Sequence, residues 1–110
     1  MKLDCGTELI FRKLNRPSAG IQFEKVVENL KALDDIIIQS VFVEGRVNNT
    51  EESEVEKWIE RLAYIRPKEV QIYSIDRPSA DEGLSLVSKD KLNRIAKKAE
   101  DVCRVSVKVF

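Results

Sequence analysis

The chain has 110 residues, enough for one compact domain and too few for two. Nineteen Lys and Arg residues balance nineteen Asp and Glu, so there is no basic footprint for nucleic acid or for an anionic membrane surface. Because His is absent, Ser-His triads, His metal sites and His acid–base chemistry are excluded together.

The first residues, Lys2-Leu3-Asp4-Cys5, read as the end of a strand that runs at once into a helix-starting loop. Behind Thr7 a short helix carries Leu9, Ile10, Phe11 and Leu14, and the Arg16-Pro17-Ser18-Ala19-Gly20 turn closes it. Phe23, Val26, Val27, Leu30 and Leu33 follow at steps of three and four, the stripe of a second helix. Ile36 to Val43 is mostly apolar and β-branched without strict alternation, which predicts a parallel strand covered on both faces. The clearest helix carries Val55, Trp58, Ile59, Leu62 and Ala63; Thr50 and a glutamate-rich first turn open it, and Pro67 closes it. Trp58 lies within that stripe and is expected in the core. Val70 to Ile75 alternate as a second strand, Ser88 caps a helix with Leu92, Ile95, Ala96, Ala99 and Val102, and Val105 to Phe110 form a last strand.

Strands that alternate with helices imply an α/β fold with a parallel sheet and crossover connections. About four strands are expected, counting the opening stub, as a small open sheet or half of an eight-stranded barrel. Helix-to-strand connections are short. Strand-to-helix connections, from Asp4 to Thr7, Glu44 to Thr50 and Asp76 to Val87, are longer and polar, and they open on the carboxyl edge where parallel folds place ligands.

Three loops on that edge carry candidate chemistry. Asp4, Cys5, Gly6 and Thr7 set a carboxylate, a permissive glycine and free amides beside a helix start; an ordinary capped turn has the same composition. Gly45 and Asn48 combine close backbone approach with a side chain that both donates and accepts, while Asn49 and Thr50 read as helix capping. Asp76 and Arg77 could hold an anion or one another, and Tyr73 could stack on a base or pack. Asp4, Glu44 and Asp76 could alternatively supply oxygen ligands to a hard divalent cation.

The two cysteines, Cys5 and Cys103, have neither the number nor the spacing of a zinc or iron–sulfur motif. They belong to opposite ends of the strands, so an internal disulfide is not expected. No apolar run reaches the ~20 residues of a membrane span, and the start lacks the apolar core of a signal peptide, which points to the cytoplasm.

Lys2-Leu3-Asp4-Cys5-Gly6, Phe11-Arg12-Lys13-Leu14-Asn15-Arg16-Pro17, Val43-Glu44-Gly45-Arg46-Val47-Asn48-Asn49 and Gln71-Ile72-Tyr73-Ser74-Ile75-Asp76-Arg77-Pro78 together resemble the second half of a radical S-adenosylmethionine enzyme. The resemblance is to the group with molybdenum-cofactor-biosynthesis-like partial TIM barrels, and it covers nearly the whole chain from the fourth strand onward. It implies a single domain, residues 1–110, forming the carboxyl-terminal half of such a barrel. It implies Asp4 and Gly6 on the ribose or methionine side of S-adenosylmethionine, Gly45 and Asn48 on the floor beneath it, and Tyr73, Asp76 and Arg77 on the adenine or substrate side. The Cys-x-x-x-Cys-x-x-Cys loop that holds the family's four-iron cluster is absent. The resemblance therefore implies a fragment or split half, inactive without a cluster-binding amino-terminal half and binding S-adenosylmethionine weakly or not at all alone. The alternative is a stand-alone, non-catalytic α/β interaction module that dimerises through open sheet edges.

Overall fold

The computed structural model describes residues 1–75 and 83–110. Within them the chain is α/β. Helices α1 (Glu8–Asn15), α2 (Phe23–Lys31), α3 (Glu52–Ile65) and α4 (Lys89–Cys103) alternate with strands β1 (Ile37–Phe42), β3 (Glu69–Ser74) and β5 (Ser106–Val109). These strands form a parallel sheet in the order β1-β3-β5, with Ile38 beside Val70 and Val70 beside Val107.

The opening stub is the sheet's fourth member. Lys2 bridges Gln39 in parallel, the Leu3 amide donates to the Gln39 carbonyl at 3.0 Å, and the Gln39 amide donates to the Met1 carbonyl at 2.7 Å. Adjacent positions in the sheet are thus adjacent in the chain. A second, antiparallel ribbon joins β2 (Glu44–Gly45) to β4 (Leu84–Ser85), an element with too few residues to show any sequence period.

Local chemistry sets the helix ends. Thr7 Oγ1 accepts the Ile10 amide at 3.4 Å and Ser88 Oγ accepts the Lys91 amide at 3.2 Å, as helix-capping side chains do. Thr50 does not cap α3, contrary to expectation. The helix starts after Glu51, and the Thr50 hydroxyl sits 2.7 Å from Asn48 Oδ1 and 3.2 Å from Glu44 Oε2, bracing the loop instead. Pro67 does end the helix region, since α3 stops at Ile65 and Arg66 turns left-handed.

Among the described residues the helices cover one face of the sheet only. Ile38, Phe42, Val70, Ile72 and Val107 point into a core with Phe23, Trp58, Leu62 and Leu92. Trp58 is buried as expected: its ring stands edge-on to Phe42, 5.1 Å between centroids, and its indole N–H donates to Ser40 Oγ at 3.0 Å and the Leu3 carbonyl at 3.2 Å. The other face carries Lys2, Gln39, Gln71, Tyr73, Glu69 and Lys108, linked by side-chain bonds such as Gln39 to Gln71 and Lys108 to Glu69. The expectation of a strand covered on both faces is therefore corrected. Burial alternates along β1, and the run hid this because the buried partner of Trp58 at position 40 is a polar serine, while Ile37 on the open face is apolar. Leu33 and Val102, placed on apolar stripes by their spacing, are exposed at the ends of α2 and α4.

Candidate functional site

The carboxyl ends of the strands are tied together by a buried polar network. Asp4 Oδ1 accepts the Val41 amide at 2.8 Å, Oδ2 accepts Asn15 Nδ2 at 3.0 Å, and Lys2 Nζ lies 3.3 Å from Oδ1. Asn49 is its centre. Its Oδ1 accepts the Val43 amide at 2.8 Å, and its Nδ2 donates to the carbonyls of Asp4 and Val41, each at 2.7 Å. One amide side chain thereby replaces the ladder bonds that the stub and β1 lose where they diverge.

Glu54, in the first turn of α3, holds the neighbouring loop. Its carboxylate accepts the amides of Gly6 at 2.5 Å and Thr7 at 3.2 Å and the Thr7 hydroxyl at 2.8 Å. The Gly6 amide, expected to be free for a ligand, is taken by the protein's own anion. Gly6 is instead needed for closeness: a Cβ there would come within 2.2 Å of the Trp58 backbone nitrogen. Arg61 completes the clamp, bonding both oxygens of Glu24 at 2.6 and 2.8 Å and reaching the Gly6 carbonyl at 3.3 Å.

The five candidate residues that are described do not converge on one pocket. Gly45 and Asn48 line a cleft of about 520 Å³ with Thr7, Ile10, Lys13 and Glu54. Gly45 has φ +107° and packs on the Gly83 carbonyl, a conformation and a contact that exclude a side chain. Asn48 Oδ1 accepts the Thr50 amide at 2.7 Å, and its Nδ2 has no partner among the described residues. Asp4 belongs to the internal network, and Tyr73 stands on the open face, where its hydroxyl accepts a hydrogen bond from Lys2 and the ammonium lies 4.6 Å from its ring centroid. Burial pulls the Lys2 ammonium down, and its bonds to Tyr73 and Asp4 outweigh this and push it up. Asp76 and Arg77 lie outside the described residues.

The hard-cation option loses two of its three ligands to other partners. Glu44 is bound by Lys91 on α4, which holds its carboxyl below the usual range, and Asp4 is saturated as above. Among the described residues, no group of three or more Cys, Asp or Glu side chains is arranged to hold a metal ion. Both cysteines are free thiols. Cys5 is enclosed, and burial, then the charges of Glu54 and Asp4, push its thiol far above the ordinary value; burial also raises Cys103. With Ellman's reagent, half-buried Cys103 is expected to react slowly in the folded chain and Cys5 only on unfolding. Two fast equivalents without denaturant would contradict this packing.

Two residues central to this edge escape a sequence reading focused on ligands. Glu54 carries a signal, since it lies four positions before Trp58 on the inward stripe, where an acid must find a partner. Asn49 carries none beyond its place beside Asn48. Among the described residues no helix is long and apolar enough to cross a membrane. No family model, no curated protein and no solved structure matches the chain.

Proposed function

We propose that the chain is the carboxyl-terminal portion of a radical S-adenosylmethionine enzyme, lending walls for S-adenosylmethionine and substrate at the carboxyl strand ends. The observation that carries this reading is the uncovered face of the sheet. Parallel sheets are ordinarily covered on both faces by apolar packing, yet here the second face joins Lys2, Gln39, Gln71, Glu69, Lys108 and Tyr73 with only Ile37 and Val41 as apolar members along β1 and β3. Such a face suits the wet inner wall of a half-barrel. The sequential strand order and the polar loops at one end agree with it.

The chain's residues do not fit an iron–sulfur cluster: Cys5 is enclosed in the core, Cys103 stands at the end of α4, and there is no third cysteine. The electron that cleaves S-adenosylmethionine would come from a cluster-binding amino-terminal half. For the cofactor itself the best-fitting groups are Asn48 Nδ2 and the Gly45 backbone in the 520 Å³ cleft. Two unpaired thiols suit a reducing, cytoplasmic setting.

Calorimetry with S-adenosylmethionine tests the reading. Weak binding by the isolated chain is expected, strengthened by an added amino-terminal half that carries Cys-x-x-x-Cys-x-x-Cys. Asn48→Ala should weaken binding by about 1 kcal/mol, one polar contact, and also leave Thr50 without its Asn48 acceptor. Heat absent from both the chain and the reconstituted pair would end the cofactor proposal. A collapse of the melting temperature in Asn48→Ala would mark that residue as structural.

The second reading, a module dimerising through its sheet edges, draws on the stub, whose one strand partner among the described residues is β1. The β5 edge favours it less, because the Glu100 carboxylate already accepts the Val107 amide at 3.1 Å.

A further inference from the structure

A cleft of about 730 Å³ lies at the opposite end of the sheet, where α3 and α4 finish and turn into β3 and β5. Its lining includes Arg66, Lys68 and Arg104 and no acidic side chain, with Ala63 and Val102 as apolar wall. Val102 is 59% exposed. Arg66 and Arg104 are the left-handed residues that close the two helices, and neither takes part in an ion pair among the described residues. The two helix ends bring about half a negative charge each against three full positive ones. The cleft is thus positive in a chain whose formal charge is zero.

Its complement is the remaining helix-to-strand turn at the same end of the molecule. After α2 come Leu33, 40% exposed, then Asp34 and Asp35, both exposed and both without an ion pair among the described residues. Asp35 is left-handed, at φ 53°. The turn offers one apolar side chain followed by two carboxylates.

We propose that this turn of one copy seats in the α3–α4 cleft of a second copy, with Leu33 against Ala63 and Val102 and the carboxylates against Arg66 and Arg104. Lys68 stands on the side of the cleft next to its own turn, its backbone amide donating to the Ile36 carbonyl at 2.8 Å, and is left unchanged in the test below. Each contact joins two different patches, the turn of one copy and the cleft of the other. It uses neither sheet edge nor the carboxyl strand ends, and it stands whether or not S-adenosylmethionine binds.

Analytical ultracentrifugation of the full chain in low-salt buffer, over a rising concentration series, tests it. One variant carries Asp34→Lys with Asp35→Asn; the other carries Arg66→Asp with Arg104→Asp, since Asp and Asn tolerate the left-handed backbone. Wild type is expected to self-associate, and each variant alone to do so on the order of tenfold more weakly, with circular dichroism unchanged. An equimolar mixture should recover wild-type affinity, because the intact turn of the second variant meets the intact cleft of the first. Wild type that stays monomeric would overturn the proposal. So would a variant that associates as wild type does, which would point to the sheet edges, or a mixture no tighter than its components.

Discussion

Gly6→Ala is expected to lower the melting temperature by about 15 °C or more, through overpacking that costs at least about 3 kcal/mol. The added methyl would meet backbone, not flexible side-chain ends: the Trp58 nitrogen at 2.2 Å and the Lys57 carbonyl carbon at 2.4 Å. Relief requires α3 to back away from the loop. That motion would also stretch the Glu54 bonds to Gly6 and Thr7 and disturb the Trp58 bonds to the stub. Thermal unfolding followed by circular dichroism measures the effect. A melting temperature within a few degrees of wild type would show that the loop and α3 can part cheaply.

Asn49→Ala should cost about 2–4 kcal/mol, because it leaves the Val43 amide and the Asp4 and Val41 carbonyls without their partner in a site with no room for bulk water. Asn49→Asp is the more telling change. It keeps an acceptor for Val43 but turns a second carboxylate oxygen toward two carbonyls, so the folded state resists ionisation. The carboxyl is then held above its unfolded value, and the damage, full at neutral pH, should lessen as pH falls and the group protonates. Urea denaturation at neutral and acidic pH checks the sign. Equal losses at both would mean that the network admits water at position 49.

Most of the fold was readable because its period is strong. The stripes through Trp58 and Leu92 sit on helices, and the three runs expected as strands form the parallel sheet. Errors arose where polarity and position part company. Ser40 is buried because Trp58 gives it a partner, Ile37 is exposed because the second face is uncovered, and Val102 is exposed in the last turn of α4, on the wall of the cleft there. The β2–β4 ribbon is a pairing of two-residue segments, held by contacts distant in sequence. At the candidate site, composition drew attention to Asn48, whereas the buried bonds converge on Asn49. Adjacent identical residues differ only in where the loop points them, and a one-dimensional pattern does not contain that direction. Gly6 was readable as important, but as a permissive glycine with a free amide at the ligand edge and not for its contact with α3, because the partner that fills its loop, Glu54, comes from 48 residues away.

The lone tryptophan has a consequence for how this chain can be watched. Its indole touches the stub carbonyl at Leu3 and the β1 serine at once, so its emission is tied to the seam between the first residues and the rest of the sheet. Circular dichroism averages over four helices and sees little of that seam. The fluorescence of a single ring instead behaves as a latch indicator, separating a chain whose first strand has come loose from one that has melted throughout.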